Sequence, residues 1–337
     1  MAEMDKTLLA IDVGGSTSRA CLIDTSGRCL GRGRNRGGNP ASNTPEQAAA
    51  AIISAVEAAI AEAAIEHPDI AVALIALAGP QKHVALAKLE TAFRAAGLTG
   101  PIVFAGDVQA MFSSVTATTE GYCVIAGTGA GAVRIRGGEV ERVVDLAGWL
   151  AGDLGSGFWL GQQAARAAVA DLEGRGEKTS LTSALLAAFD IPWSEDRILG
   201  RPAPLRLLID AIYAIRPIEL ARFAPLVFAD RNDPVATGLI AAAERYLARH
   251  FALAFDATMP GPVVLGGGVV THLTGVAPAI ADLVRAAGHE PDIRVAADGS
   301  VGAAVLALRA VGITVDEPTV ATIAASMAAP SLGPAAP

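Results

Sequence analysis

Apolar and polar positions along the chain fall into short strand-length runs and longer helical stretches, and the two kinds recur in the same order twice. Residues 8–11, 19–23 and 29–32 read as three strands, the last pair joined by the turn Asp24-Thr25-Ser26-Gly27. Thr44 and Pro45 then suit the cap and first position of an alanine-rich helix reaching about Ile65. Residues 70–77 are almost continuously apolar, as a strand covered on both faces should be. A helix over 82–96, a strand over 101–105 and a helix after Asp107 complete a βββαβαβ order.

The second half repeats that order. Strands are predicted at 122–126, 132–136 and 140–144, the last two joined at Gly137-Gly138, followed by a helix from near Gly155 to about Asp171. Residues 175–260 read as a mostly helical insertion broken by prolines, among them Pro192, Pro202, Pro217 and Pro234. A strand at 262–265, a helix at 271–286, a strand at 292–295 and a helix at 301–311 follow. The expected division is a first domain over 1–117, completed by a C-terminal helix at 300–312, and a second over 118–312. The stretch 313–337 is rich in Ala, Pro and Ser and is expected to be a disordered tail.

Bulk properties narrow the function. Of 337 residues 52% are hydrophobic, enough for two cores, yet no apolar run approaches the roughly 18 residues of a membrane span. The polar start, Met1 to Lys6, lacks a basic-then-apolar leader, so a cytoplasmic protein with no membrane partner is expected. A net charge of -8 argues against nucleic acid, which demands a basic surface. Cys21, Cys29 and Cys123 lie in strand-like runs without metal-ligand spacing, and the histidines form no zinc constellation.

Three features sit where strands end. Asp12-Val13-Gly14-Gly15-Ser16-Thr17 follows the first strand, and Gly127-Thr128-Gly129 follows the first strand of the second half. Asp107 closes the run 101–107. Ligands of open α/β sheets gather beyond the carboxyl ends of strands. Glycine lets backbone N–H groups approach a phosphate closely, and Ser or Thr adds a hydroxyl donor. Gly266-Gly267-Gly268 forms a third such run, placed to lie flat against an adenine or ribose. No G-x-x-x-x-G-K-[ST] loop occurs, nor a G-x-G-x-x-G after the first strand. Two phosphate cradles with a carboxylate between them point to phosphoryl transfer from a nucleotide. Asp12 suits a water-mediated Mg²⁺ contact, which needs only one or two carboxylates, and equally an Asx turn. Arg19 suits either a phosphate or the surface. Asp107 suits a base accepting a hydroxyl proton, and also a helix N-cap.

The segment 147–161 holds Gly148, Trp149, Gly152, Asp153, Gly155, Ser156, Gly157, Trp159 and Gly161. Asp153 can bond adjacent sugar hydroxyls there. With Gly38-Asn39-Pro40, Ala105-Gly106-Asp107, the glycine turns and above all the 152–161 block, the sequence resembles the N-acetylglucosamine kinase group of the BadF/BadG/BcrA/BcrD ATPase-like family over roughly residues 7–312. That resemblance implies two duplicated actin-like ATPase (ribonuclease H-like) domains with an interdomain cleft. It implies ATP and Mg²⁺ as cofactors, and transfer of the γ-phosphate to the C6 hydroxyl of an amino sugar. Asp107 would be the base, and Asn39, Asp107, Gly148 and Asp153 would line the sugar site. Asp12, Gly14, Gly15, Ser16, Thr17, Thr128, Gly129, Gly267 and Gly268 would hold Mg-ATP. Leu154 stands where the family block usually carries Glu, and Ala130 where relatives often have Ser. N-acetylglucosamine is therefore the first choice, with glucosamine, another amino sugar or glucose as alternatives. A non-catalytic sensor and a BadF-type activator carrying an iron–sulfur cluster are the competing classes, and a homodimer is left open.

Overall fold

The computed structural model describes residues 6–328 apart from 16, 40–42, 78, 80–83 and 297. In chain order the first elements are β1 (Thr7–Val13), β2 (Thr17–Asp24), β3 (Cys29–Arg36), α1 (Pro45–Ala63), β4 (Ile70–Leu77), α2 (Leu86–Ala95), β5 (Ile102–Gly106) and α3 (Asp107–Ser113). Next come β6 (Gly121–Ala126), β7 (Ala130–Arg136), β8 (Glu139–Asp145), α4 (Gly157–Glu173) and α5 (Ser180–Ala188). A two-residue hairpin, β9 (Arg197–Ile198) and β10 (Arg201–Pro202), precedes α6 (Ala203–Ala214), α7 (Ala224–Ala229) and α8 (Pro234–Ala254). The chain closes with β11 (Val263–Gly266), α9 (Val276–Ala286), β12 (Ile293–Val295), α10 (Gly299–Ala310) and α11 (Glu317–Ala328).

Two five-stranded sheets result, in the orders β3-β2-β1-β4-β5 and β12-β11-β6-β7-β8. With β6 for β1, β7 for β2, β8 for β3, β11 for β4 and β12 for β5, the two orders coincide. The βββαβαβ repeat expected from the sequence is therefore present in three dimensions. β1 runs antiparallel to β2 and parallel to β4, so Asp12 at its carboxyl end faces Arg19 across the ladder.

The chain divides into two compact units. The first comprises residues 1–121, the β7–β8 hairpin tip Ile135–Val140, and everything from Arg294 onward. The second holds Tyr122–Arg134 and Glu141–Ile293. The second unit thus ends at Ile293, and α10 packs on the first sheet.

In the first unit the sheet is covered on both faces. Thr44 caps α1 in a capping box with Gln47, and buried alanines along α1 bring its backbone down onto β2 and β3. The approach is so close that a Cβ on Gly33 would lie 1.8 Å from Ala55 O. On the other face α10 presses on α3, where a Cβ on Gly302 would lie 1.6 Å from Ala110 O. The tail departs from expectation. Residues 317–328 form α11 instead of a disordered segment, burying Val320 and Ile323 in the core built by Leu8, Cys21, Val305 and Leu308. Their composition looks unstructured, but the apolar spacing gives the helix one face to bury. Residues 329–337 lie outside the described residues.

The second unit buries one large core, in which the insertion helices α5 to α8 pack with α4 and the sheet. Among the described residues no helix is long and apolar enough to cross a membrane.

Candidate active site

In the first unit, Gly14 N–H donates to Thr17 O at 2.9 Å and closes the β1–β2 turn. The space a Cβ on Gly15 would take is open. Ser16 lies outside the described residues. Asp12, its side chain only 13% exposed, accepts a hydrogen bond from Arg19 Nη1 at 3.2 Å, and Arg19 Nε lies 3.5 Å from Asp298. Arg19 is thus neither a free phosphate ligand nor a plain surface residue; it bridges two carboxylates. Loss of hydration pushes the Asp12 pKa up to about 6; Arg19 opposes this, and the charges of Asp298 and Asp107 add to it. Asp298 also caps α10, accepting the Ser300 N–H at 3.0 Å. Next to it, a Cβ on Gly299 would lie 2.6 Å from Asp12 Oδ2.

Asp107 is the first residue of α3, with Gly106 in the capping position that the sequence left open for Asp107 itself. Its Oδ1 accepts the Val108 N–H at 2.9 Å. The residue is exposed, yet the protein packed around its carboxyl costs it hydration and raises it above the ordinary range, opposed by backbone N–H groups of the first turn. Gln109 steadies that turn: its Oε1 accepts the Gly106 N–H and its Nε2 donates to Gly138 O, both at 2.9 Å. Asn39 is half-buried, and its carbonyl accepts from Asn43 Nδ2 at 3.0 Å.

The second unit carries the other set. Gly127 N–H donates to Gly129 O at 2.9 Å, which tightens the β6–β7 turn and leaves Thr128 exposed at its apex. The start of α4 grips this turn from behind, Gly157 N–H donating to Gly127 O at 2.7 Å and Phe158 N–H to Thr128 O at 3.3 Å. Asp153 is buried, and its Oδ1 accepts the Ala130 N–H at 3.2 Å. Its pKa is raised by loss of hydration and further by the Asp145 charge, while the Ala130 and Gly148 N–H groups oppose the shift. Gly148 has φ +80° and lies exposed. Gly267, at φ +97°, is packed so that a Cβ would lie 2.4 Å from Ala126 O. A small cavity of about 130 Å³ opens beside Gly268, walled by Ala224, Pro225, Phe228, Val269 and His272. There the His272 ring stacks on Phe228 with centroids 5.1 Å apart. A larger cavity, about 750 Å³ between α1 and α2, contains none of these residues.

Of the residues singled out in the sequence, Asp12, Gly14, Gly15, Thr17, Asn39 and Asp107 lie in one unit, and Thr128, Gly129, Gly148, Asp153, Gly267 and Gly268 in the other. Asp298, Asp145 and His250, not singled out in the sequence, stand against these residues or their neighbours. The Asp298-Gly299-Ser300 start of a helix was a legible cap signal; nothing local marks the other two. The two tryptophans of the glycine-rich block serve mainly as packing groups, Trp159 against Tyr246 and Trp149 against Phe158, each at 5.5 Å.

Chemically, the first unit offers a partly dehydrated carboxylate beside a glycine turn and a second carboxylate at a helix start. The second offers a tight glycine turn, a buried acceptor and a glycine-edged apolar niche. Comparison with known proteins bears on the family and the fold. The sequence profile of the BadF/BadG/BcrA/BcrD ATPase family matches residues 9–307. An N-acetylmuramic acid/N-acetylglucosamine kinase of Clostridium acetobutylicum is 25% identical over 195 residues, 57% of this chain and 63% of that protein. The chain thus matches less than two thirds of that relative's length. A candidate N-acetylglucosamine kinase from Chromobacterium violaceum has a similar structure, with TM-score 0.71 and 25% identity over 90% of this chain and 99% of that one. Another from Porphyromonas gingivalis gives TM-score 0.62 and 21% identity over 89% and 97%. The fold is the duplicated actin-like architecture of these sugar-kinase ATPases.

Proposed function

The chain belongs to the BadF/BadG/BcrA/BcrD ATPase family, and on that premise we propose that it is an ATP-dependent kinase acting on the C6 hydroxyl of N-acetylglucosamine or a related amino sugar. The observation that carries this reading is Asp107: a carboxylate at a strand end, with its pKa raised by lost hydration, in a fold that repeats a glycine turn. A raised carboxyl is a better proton acceptor near neutral pH than an ordinary one.

In this reading the β1–β2 turn closed by the Gly14 N–H offers the Gly15 N–H and the Thr17 hydroxyl to the phosphates, with Ser16 as a further donor, and the Thr128 and Gly129 N–H groups serve them too. Gly267, Gly268 and the niche beside them take the base and ribose. Asp12 fits Mg²⁺ in its donor chemistry. It is a hard oxygen ligand whose charged form is disfavoured by burial and by the neighbouring Asp298 and Asp107 charges, a field that a divalent cation would relieve. Asp12 would hold Mg²⁺ through water, and the ion would supply neutralisation of phosphate charge there.

Asn39, Gly148 and Asp153 orient the sugar. Asp153, held by the Ala130 and Gly148 N–H groups, accepts from its hydroxyls. Asp107 takes the proton of the attacking hydroxyl as a new O–P bond forms to the γ-phosphorus. The bond from that phosphorus to the β–γ bridging oxygen breaks, and ADP leaves with the electron pair. Positioning and charge stabilisation carry most of the acceleration in such a transfer.

The test is a coupled ADP-release screen over N-acetylglucosamine, glucosamine, N-acetylmannosamine, glucose and muramic-type sugars. Sugar-dependent turnover with one preferred amino sugar is expected. A flat response to every sugar would replace this reading with a sensor or a plain ATPase. The iron–sulfur alternative gains nothing from the cysteines: Cys21 and Cys123 are buried and Cys29 is half-buried, so none is an exposed loop thiol.

A further inference from the structure

We propose that Asp145 is a positioning residue of the acceptor site, its carboxylate holding loop 146–154 in the one shape that presents Gly148 and Asp153 to the sugar. The inference rests on reading that loop as the sugar site.

The loop is not held by burial. Its apex is open to solvent, with Trp149 39% and Leu150 83% exposed. It is also conformationally costly, since Asp145 (φ 63°), Leu146 (φ 56°) and Asp153 (φ 57°) all occupy the left-handed region without being glycine. Such strain persists only where surrounding contacts over-determine it. Here they converge on one carboxylate. Asp145 Oδ1 accepts the Asp153 N–H at 2.7 Å and, more weakly, the Ala147 N–H at 3.4 Å; Oδ2 accepts the Leu154 N–H at 2.9 Å. One side chain therefore ties the beginning of the loop to its end.

The carboxylate is itself fixed. Its side chain is only 8% exposed, and His250 Nε2, from α8 of the helical insertion, stands 3.4 Å from Oδ2. Burial lowers the His250 pKa against the pull of the Asp145 charge. Gly152 completes the fit, because a Cβ there would lie 2.1 Å from Asp145 Oδ1. The insertion thereby acquires a role as the brace behind the loop. Asp145 touches no reacting atom in this scheme; it acts through Asp153.

Asp145→Asn is nearly isosteric but presents only one acceptor oxygen to the Ala147, Asp153 and Leu154 N–H groups, while Gly152→Ala pushes on Oδ1. Steady-state kinetics of both variants, alongside calorimetric ADP binding, separate loop positioning from general damage. The expected result is a sugar KM raised at least tenfold with ADP affinity and ATP KM within twofold of wild type. Should Asp145→Asn fail to fold, Gly152→Ala decides. An unchanged sugar KM overturns the inference, and so does a parallel loss of sugar and nucleotide binding, which marks a merely structural role. A wild type without sugar-dependent turnover removes the reading of the loop, and the inference with it.

Discussion

A methyl group on Gly129 would lie 2.9 Å from Asp153 Oδ1, so the β6–β7 turn and the acidic residue of the sugar loop share one packed space. The turn proposed for phosphate and the side chain proposed for sugar are therefore mechanically joined. Gly129→Ala must displace Asp153 or open the turn. The expected loss in kcat/KM for the sugar is about 10- to 100-fold, equivalent to roughly 1.4–2.7 kcal/mol of transition-state stabilisation. Wild-type kinetics in that variant would mean Asp153 does not hold the acceptor.

Asp107→Asn removes the base while keeping its size and its bond from Val108 N–H. Turnover should fall by about 10²–10⁴-fold or more, while nucleotide binding by calorimetry stays close to wild type. Sugar-dependent turnover at the wild-type rate would show that the proton goes elsewhere.

The Asp12 pKa of about 6 gives a pH dependence with a defined sign. The raised value means that the carboxylate is ionised above about pH 6 and protonated as pH falls through it, and protonation removes the charge that draws the hydrated cation. The groups facing it are Arg19, Asp298 and Asp107. The Mg²⁺ concentration for half-maximal activity should rise about tenfold from pH 7 to pH 5, from single-proton competition. Acid loss of Asp107 as base lowers the plateau rate instead, so Mg²⁺ titrations at each pH separate the two. A half-saturation point that ignores pH would argue against Asp12.

Ile323 of α11 is fully buried, against Gly27 and Leu308. Ile323→Ala should cost about 2–5 kcal/mol of stability by chemical denaturation, the usual range for emptying a core site. A cost below about 1 kcal/mol would mean that α11 is only loosely docked.

Much of the fold was legible because its signals are local. Thr44 and Pro45 announce α1 through cap chemistry that needs no neighbour beyond Gln47. The continuous apolar run of β4 follows from burial on both faces. The β1–β2 and β6–β7 turns advertise themselves by glycine, and Asp107 by its place at a strand end. The helix over residues 317–328 was not legible because composition alone says nothing of a docking surface, and α11 is ordered by the apolar groove it fills.

From residue order alone came the repeated strand and helix plan, the glycine turns and the carboxylates at strand ends, since periodicity and turn chemistry act over a few residues. Only the folded chain could join Asp12 to Arg19 and Asp298, or Asp145 to Asp153 and His250. These pairings link positions up to hundreds of residues apart, and each carboxyl's hydration and charge depend on what the fold packs around it.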